Sequence, residues 1–566
     1  MKRENVTKWI ALLTLATTLL MAVSAQNPNR SKPFSWDNAN VYFMITDRFY
    51  DGNPANNHSY DRGLDPSGAT YGTTNSSSGL YQNTGAFQGG DLSGVTKKIT
   101  EGYFDKLGTN AIWITAPYEQ IHGWVGGGPA QDFQHYGYHG YYALDWTEMD
   151  ANMGTANELK ALVDTAHAHG IRIVMDVVMN HAGYQTFNDV SEFGFGAYDV
   201  AGETWRPAVG AESPWGGFHQ YWKYAVGNGW ENWWGAEWVR SPDIKGYDTC
   251  SPGGGQDNCV GYLPDFKTES KSVVGLPKLL IDKWKREGTY DAKVARMDAW
   301  FAKTGNPKTI RFWLIEWLSN WVRTYGIDGF RIDTAKHVDL DTWKELLDEC
   351  RVALNEWKAA NPTKKLDDNE FWATAEVWGH GFSESEYHTV ATFNSVINFN
   401  LQTDSRLASP SQWETLFQQF GAVNPNNGWN GLSYISSHDT KLYDRTKLKT
   451  IAPAFLMLPG GIQTFYGDES VRPLGTCADA EQQTRSFMNW SAPDNATLAL
   501  WQKFGAFRRD HSAVGAGVHK QLVASPYTFS RTYDNATLRI NDKVVCVYGA
   551  SGATTVDVSS DRKSVV

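Results

Sequence analysis

Residues 329–338 read GFRIDTAKHV, and their pattern recurs along the chain. This stretch opens as a short apolar run with one arginine, and Asp333 follows directly after the run. A run of this length fits a buried strand, and the polar residues behind it fit a loop at the strand's end. Similar runs occur at residues 41–49, 110–118, 171–181, 371–379, 395–401, 432–439 and 462–469. Together they predict eight buried strands, each followed by a polar loop.

Helical patterns separate many of these strands. Residues 156–170, ANELKALVDTAHAHG, end in Gly170, a favourable helix stop. Trp313, Trp317 and Trp321 recur at helical spacing, which favours a face buried in the core over a sugar-binding platform. Eight strands that alternate with helices predict an α/β fold, a parallel (β/α)8 TIM barrel.

The barrel is expected to be interrupted. We predict its first part at residues 35–182 and its second at 271–490, because the gap between the third and fourth strands is too long for an ordinary connection. Residues 183–270 are rich in Gly, Trp and Asn and predict an inserted domain over the barrel mouth. Alternating segments in residues 495–566 predict a C-terminal antiparallel β domain, whose abrupt end in DRKSVV leaves its completeness open.

The N-terminus predicts export. Lys2, Arg3 and Lys8 accompany the apolar run IALLTLATTLLMAV, and small residues follow up to Ala25, so residues 1–25 fit a signal peptide. The run is shorter than the ~20 residues of a membrane-spanning helix. We therefore expect a periplasmic or secreted protein with no membrane association after cleavage.

Export permits disulfides, and the chain has five cysteines. Cys250 and Cys259 flank a loop that could close on itself, and we predict that they pair. Cys350, Cys477 and Cys546 are left unassigned. The net charge of −11 disfavours a nucleic-acid partner, because phosphate binding needs a basic surface.

Two carboxylates stand at neighbouring strand ends. Retaining glycosidases need a nucleophilic carboxylate and a protonated acid about 5–5.5 Å apart. Asp333 and Glu376 can meet this need. The alternative is that they are surface carboxylates or salt-bridge partners, as most Asp and Glu residues are. Arg331 points to the same side of its strand as Asp333 and would keep it ionised. Burial in an aromatic pocket, indicated by Val377-Trp378 after Glu376, would raise the pKa of the acid.

Four motifs carry a resemblance to a known family. DVVMNH (176–181), GFRIDTAKH (329–337), EVWG (376–379) and SSHD (436–439) resemble, in order and approximate spacing, the four signature regions of the α-amylase family of glycoside hydrolases, family 13. The stretches YYALDWTEMDANMG, LPDFKTES and SSHDTKL are most similar to periplasmic bacterial α-amylases. The resemblance implies that Asp333 is the nucleophile, Glu376 the general acid/base and Asp439 the transition-state stabiliser.

The same resemblance implies substrate-binding roles for further residues: His139, Tyr141, His181, Arg331, Lys336 and His438. A lone histidine is more often structural, and only the motif context reverses that expectation. The fourth region departs from the common pattern, with Ser436-Ser437 where many members have Asn directly before the histidine.

Two calcium sites are implied by resemblance, and their oxygen donors suit Ca2+. The central site would use Asn180, Asp265 and the main-chain carbonyl of His337; loop capping is the alternative for the two side chains. An N-terminal site resembles the calcium loop of cyclodextrin glycosyltransferases. Without the resemblance, such a loop would usually be only a turn. Its ligands would be Asp51, Asn53, Asn56, Asn57, the carbonyl of Gly89, and Asp91.

The expected function is endo-hydrolysis of α-1,4-glucosidic bonds in starch, maltodextrins and other α-1,4-glucans, by a monomer that uses a retaining double displacement. An α-glucan transglycosylase, cyclodextrin-forming or related, is one alternative. A non-catalytic glucan-binding homologue is the other, although such proteins lose members of the acidic triad.

Overall fold

The computed structural model describes residues 27–62, 85–127, 133–199, 204, 222–242, 244–251, 253, 255–256, 258–422, 429–476, 479–553 and 555–557. The export signal expected at residues 1–25 lies outside these ranges. None of the helices in the described part of the chain combines the length and apolar character needed to cross a lipid bilayer.

The strands follow one another along the chain as β1 (Asn40–Met44), β2 (Ala111–Ile114), β3 (Tyr118–Gln120), β4 (Val125–Gly127), β5 (Phe133–His135), β6 (Ala143–Met149), β7 (Arg172–Val177), β8 (Val239–Arg240), β9 (Asp265–Phe266), β10 (Gly329–Ile332), β11 (Trp372–Ala375), β12 (Ser395–Asn398), β13 (Asn430–Tyr434), β14 (Gly461–Phe465), β15 (Val518–Val523), β16 (Tyr527–Asn535) and β17 (Ile540–Tyr548). Eight of them close a parallel barrel in the order β1-β14-β13-β12-β11-β10-β7-β2. These are the eight predicted strands, so the predicted fold class is confirmed.

The helices are α1 (Leu92–Thr100), α2 (Tyr103–Leu107), α3 (Ala156–Ala168), α4 (Phe187–Phe193), α5 (Lys278–Glu287), α6 (Tyr290–Thr304), α7 (Ile310–Tyr325), α8 (Leu340–Ala360), α9 (Glu386–Thr389), α10 (Trp413–Gly421), α11 (Leu448–Leu456), α12 (Ala480–Thr484), α13 (Asn495–Asp510) and α14 (Ala513–Ala516). Helix α3 begins with a capping box formed by Thr155 and Glu158, which satisfies backbone N–H groups at its first turn. It ends shortly before Gly170, whose φ of 77° favours glycine, as the sequence predicts.

The tryptophan stripe of α7 faces the core. Trp313, Trp317 and Trp321 are all buried, and the indole N–H of Trp321 donates to the carbonyl of Trp146. Replacing such a buried ring by alanine costs about 3–5 kcal/mol. The prediction of a core-facing stripe is therefore confirmed, and these rings are unavailable to a sugar.

Two long excursions leave the barrel. The first, between β2 and β7, carries the β3–β6 and β4–β5 strand pairs, which the sequence did not reveal because three of these four strands span only three residues. The second, after β7, contains α4, the short β8–β9 pair and a cluster of buried tryptophans. Its predicted disulfide, Cys250–Cys259, is formed. Cys477 lies outside the described residues.

The C-terminal part begins later than the composition indicates. Antiparallel strands β15, β16 and β17 form a three-stranded sheet over residues 518–548. Residues 495–510, which we placed in the β domain, instead form α13. Arg508 of this helix donates to the carbonyls of Leu456 and Leu458, so α13 packs on the barrel.

Candidate active site

The ends of neighbouring strands deliver the predicted catalytic pair. Ile332 of β10 and Ala375 of β11 are paired in register, so Asp333 and Glu376 emerge side by side. Backbone hydrogen bonds continue the ladder past the strand ends, from Asp333 N to Val177 O at 3.0 Å and from Glu376 N to Ile332 O at 2.9 Å. Rigid backbone of this kind fixes both carboxylates to within the narrow tolerance that catalysis needs.

Arg331 bridges the two acids. Its Nη1 donates to Asp333 Oδ1 at 2.8 Å, and its Nη2 lies 2.8 Å from Glu376 Oε1. Thr334 holds the other Glu376 oxygen, Oε2, through its backbone N–H at 2.9 Å. Thr334 has a φ of 47°, an uncommon left-handed conformation for a β-branched residue, and such strain is characteristic of functional sites.

The two acids differ in proton affinity. Burial raises the pKa of Asp333 to about 6, although the adjacent Arg331 opposes the rise. Burial also raises the pKa of Glu376 to about 7. Arg331 opposes this rise, and the negative charge of Asp333 adds to it. Arg331 was predicted to act on Asp333, but it contacts both acids and opposes the rise of both pKa values.

The expected aromatic pocket around Glu376 is not formed by its neighbour Trp378. Glu376 is 8% exposed, whereas the Trp378 side chain is 54% exposed. The burial that raises the pKa of the acid therefore comes from the barrel mouth. This part of the prediction is wrong: the Trp378 ring lies next to that of Phe399, with centroids 5.2 Å apart, and is largely exposed to solvent.

Asp439 behaves differently from the other two acids. Its Oδ2 lies 2.9 Å from Nε2 of His438, and its Oδ1 accepts a hydrogen bond from Nη2 of Arg485 at 3.0 Å. Burial disfavours its charge, but His438, Arg485 and Arg331 outweigh burial and hold its pKa well below the usual range. Asp439 is therefore ionised throughout the working range, next to two carboxylates whose pKa values are raised.

Tyr141 forms one wall beside these acids. Its ring stacks between His139 and His438, with centroids 5.2 and 5.6 Å away. Its hydroxyl donates to Oδ2 of Asp176 at 2.9 Å and lies 2.9 Å from Nε2 of His438. The ring is thus fixed in orientation and only half-buried, which leaves part of it available for stacking on a sugar.

The predicted substrate histidines are placed differently. His139 accepts the backbone N–H of Tyr141 at Nδ1, so its proton sits on Nε2, which is buried without a partner among the described residues. Burial keeps the pKa of His139 well below the usual value, so the ring is neutral. His181 instead has protein partners at both nitrogens, the Tyr141 carbonyl and the Asn180 amide, and the structure gives it no free donor.

Lys336 lies on the rim, after β10. Its Nζ donates to the carbonyl of Trp378 at 3.3 Å, which joins the loops that follow the two catalytic strands. The His337 ring packs outward, with Nδ1 3.1 Å from the carbonyl of Gly255 in the disulfide loop. The main-chain carbonyl of His337, rather than its ring, faces Asn180.

The residues predicted to bind a central calcium ion lie close together. The side-chain oxygen of Asn180 lies 3.3 Å from the carbonyl oxygen of His337 and 3.1 Å from Oδ1 of Asp265. Three oxygens without a proton between them repel one another; either a cation or a rotated Asn180 amide relieves the repulsion. The second Asp265 oxygen is held by Arg240 at 2.7 Å, which orients the first. The donor set therefore fits a hard cation.

The N-terminal loop also contains orphaned oxygens. Oδ1 atoms of Asp51, Asn56 and Asn57 are buried and have no hydrogen-bond partner within the described residues. A Cβ built on Gly89 would meet the Asn57 amide at 3.0 Å and Oδ2 of Asp51 at 3.1 Å, so this glycine packs against the same cluster. Orphaned oxygens of this kind call for a cation or ordered water.

In the same loop, the side-chain oxygens of Asn53 and Asp91 already accept hydrogen bonds from the backbone. The Asn53 side chain caps a turn by accepting from Ala55 N, and Asp91 caps α1 by accepting from Gly94 N at 2.7 Å. Across the described residues, no three His, Cys, Asp or Glu side chains cluster as a metal site. A cation here would thus need amide and main-chain oxygens beside the carboxylates of Asp51 and Asp91.

Two residues that contact the predicted catalytic acids or Arg331 are not among the predicted site residues. Asp176 lies opposite Arg331 in the β7–β10 register and accepts its hydrogen bond at 3.0 Å. The unpaired charge of Arg331 inside a strand could have signalled a counter-ion on the neighbouring strand. Arg485 comes from the end of α12, remote from every motif, and only the folded chain brings it to Asp439.

Comparison with known proteins agrees with this geometry. Residues 43–195 match the family model described as the α-amylase catalytic domain. The periplasmic α-amylase of Escherichia coli (strain K12) is 44% identical over 548 residues, which cover 94% of this chain and 74% of that protein. This chain belongs to the α-amylase family. A cyclomaltodextrin glucanotransferase of Bacillus sp. (strain 38-2) is 34% identical over 184 residues, 32% of this chain and 24% of that relative.

Solved structures of the α-amylase family share the fold. The crystal structure of an Anoxybacillus α-amylase superposes with a TM-score of 0.54 at 19% identity, covering 88% of this chain and 85% of that one. At that identity the likeness supports the architecture alone. The residue roles below depend on the site itself.

Proposed function

We propose that this chain is an endo-acting α-amylase that hydrolyses α-1,4-glucosidic bonds with retention of configuration. The observation that carries the proposal is the single guanidinium of Arg331 held between Asp333 and Glu376, with the pKa of one at about 6 and of the other at about 7. Two carboxylic groups of unequal proton affinity at one strand edge are the requirement for a nucleophile and an acid.

Asp333 is the proposed nucleophile. Only its Oδ1 is engaged by Arg331; within the described residues, Oδ2 accepts no hydrogen bond and is free to attack. Attack on the anomeric carbon forms a glycosyl ester to Asp333 and breaks the bond to the leaving oxygen. The Arg331 contact supports this role, because it favours the ionised carboxylate.

Glu376 is the proposed general acid and then base. Its Oε2 accepts the backbone N–H of Thr334, and its Oε1 forms an ion pair with Arg331. Each oxygen keeps a lone pair that can carry a proton. In the first step Glu376 gives its proton to the leaving glycosidic oxygen. In the second, as a carboxylate, it takes a proton from the water that attacks the glycosyl ester.

The remaining groups bind the reacting glucose. The ionised Asp439 is proposed to accept hydrogen bonds from vicinal hydroxyls as the ring flattens towards an oxocarbenium ion. The Nε2–H of His139 and the Nδ1 of His438, which has no partner among the described residues, supply further polar contacts. Tyr141 supplies a stacking face. His181, whose ring nitrogens are occupied, is proposed to support Tyr141 rather than to bind sugar directly. Lys336 is placed on the leaving-group side.

The chain is proposed to bind Ca2+ at the central site through Asn180, Asp265 and the His337 carbonyl. The convergence of their oxygens supports this, and the ion would join the end of β7 to the inserted segment at β9. A second ion is proposed at the Asp51–Asn57 loop, where orphaned oxygens supply the donors. The substrates are starch and related α-1,4-glucans; the exported, periplasmic location proposed here is supported by the N-terminal sequence and the Escherichia coli relative.

Purified protein should be incubated with starch and maltoheptaose, with products resolved by size and ring closure. Linear maltodextrins from the wild type, absent with Glu376→Gln, support the proposal. Cyclic or elongated glucans as main products would assign a transglycosylase instead. If the folded wild type turns over neither substrate, the remaining alternative is a non-catalytic glucan-binding homologue.

A further inference from the structure

Arg485 makes two contacts with the segment that carries Asp439. Its Nη2 donates to Oδ1 of Asp439 at 3.0 Å, and its Nε donates to the carbonyl of His438 at 3.2 Å. The side chain is 5% exposed. One buried guanidinium therefore donates to both the carboxylate of Asp439 and the backbone carbonyl just before it. A lysine could not reproduce this geometry, because it lacks the planar fork of donors.

The backbone around Arg485 is itself fixed on both sides. Nε of Arg48 donates to the carbonyl of Arg485 at 3.2 Å, and Nη2 of Arg472 donates to the carbonyl of Thr484 at 3.1 Å. Both supporting guanidinium groups lie over aromatic rings, Arg48 over Tyr138 and Arg472 over Tyr466. Two buried arginines thus bind the backbone of this short segment and fix the position from which the Arg485 side chain extends.

The electrostatics of the site agree with this geometry. Burial disfavours the Arg485 charge, but Tyr138, Glu481 and Asp439 keep its pKa well above the usual value, so it is charged at any working pH. Arg485 therefore gives Asp439 a permanent positive partner. The charged or titratable groups that face Asp439 are His438, Arg485, Arg331, Asp333, Glu376, Tyr141 and Tyr434.

We infer that Arg485 is a positioning residue for Asp439, which it keeps ionised and aimed at the hydroxyls of the reacting glucose. The inference rests on the proposed function of Asp439. Without Arg485, burial would favour protonation of Asp439, and a protonated carboxyl offers one fewer acceptor to the sugar. A purely structural tie between α12 and the loop after β13 would instead affect stability alone.

The test compares Arg485→Met and Arg485→Lys with a control, Arg445→Met. Arg445 also lies after β13 and bonds Ser436 and Asp468, but it makes no contact with Asp439. The measurements are kcat and KM for maltoheptaose across the acid limb of the pH profile, together with Tm. Chemical rescue is tested with Arg485→Ala and added ethylguanidinium chloride.

We expect Arg485→Met to lower kcat by about 100-fold or more, the size of effect seen when one preorganised electrostatic contact is lost. KM should change by much less. The acid limb should move to higher pH, because Arg485 no longer opposes the effect of burial, which raises the pKa of Asp439. The kcat of Arg485→Lys should lie between those of Arg485→Met and the wild type. Ethylguanidinium should restore part of the activity of Arg485→Ala. Arg445→Met should leave the pH profile unchanged.

An Arg485→Met enzyme with kcat within a factor of two of the wild type would overturn the inference. So would a loss of activity with an unmoved acid limb and no response to ethylguanidinium. If Asp439→Asn is inactive while Arg485→Met is normal, this inference alone fails. If the wild type does not cleave maltoheptaose, the proposed function fails.

Discussion

Arg331 and Asp176 face each other across paired strands, with Nη1 of Arg331 3.0 Å from Oδ1 of Asp176. The same nitrogen also donates to Asp333. Asp176 therefore supplies a counter-charge that fixes the guanidinium while the two catalytic acids change protonation. Because this pair is buried, removing one partner leaves an uncompensated charge, at a cost of about 3–5 kcal/mol.

Asp176→Asn should lower both stability and kcat. It should also move the acid limb of the activity profile to lower pH, because the negative charge of Asp176 contributes to the raised pKa of Asp333. The profile of kcat/KM against pH and a thermal melt check this. Asp367→Asn is the matched control: Asp367 pairs with Arg172 at 2.5 Å, where β7 begins, so it should lower Tm without moving the profile.

The wild-type activity should follow a bell-shaped pH profile with its maximum between about 6 and about 7. Below this range Asp333, with a pKa of about 6, is protonated and cannot attack; above it Glu376, with a pKa of about 7, has lost the proton it must donate. Initial rates on maltoheptaose over pH measure both limbs. Full activity at a pH two units above this maximum would contradict the assignment of Glu376 as acid.

Glu376→Gln should reduce starch hydrolysis by about 10²–10⁴-fold, the range for a lost general acid. Cleavage of α-maltosyl fluoride to the glycosyl-enzyme should be much less impaired, because fluoride leaves without a proton. Asp333→Asn should lose both reactions. Equal losses on starch and on the fluoride with Glu376→Gln would argue against the acid role.

The same substitution should raise stability at alkaline pH. A buried acid with its pKa raised from 4.5 to about 7 destabilises the folded state as pH rises through that interval. Glutamine removes this penalty, so the Tm of Glu376→Gln relative to the wild type should increase between about pH 4.5 and about pH 7 and then level off. A difference in Tm that is independent of pH would contradict the buried, protonated state of Glu376.

Removal of calcium by a chelator should lower Tm, since an ion that binds only the folded chain stabilises it by about 2.7 kcal/mol at 100 times its Kd. Asn180→Ala should abolish the response from the central site, and Asn57→Ala the response from the N-terminal loop. Metal content measured alongside Tm separates the two. An unchanged Tm after proven metal removal would exclude structural calcium.

The barrel and its catalytic ends could be read from the sequence because both follow from local patterns. Short apolar runs mark buried strands, and parallel strands must place their last residues at one edge, so Asp333 and Glu376 had to meet. Arg331 was expected beside Asp333 from the alternation of side chains along β10. The sequence could not show that it also binds Glu376, because that contact depends on the β10–β11 register.

The contributions that could not be predicted are those made by distant segments. Arg485 follows a short helix after the last barrel strand, and no periodicity connects it to Asp439. The exposure of Trp378 depends on where its ring lies beside Phe399, and the helical start of the C-terminal part depends on packing of α13 against the barrel. Tertiary contacts decide each of these positions.

The most direct test of the account is to trap the glycosyl-enzyme with a 5-fluoro-α-glycosyl fluoride and to locate the label by peptide mass spectrometry. A slowly hydrolysed sugar ester on the peptide that contains Asp333 is the predicted result. A label on Glu376, on Asp439 or on another carboxylate, or turnover of the probe without any covalent adduct, would contradict it.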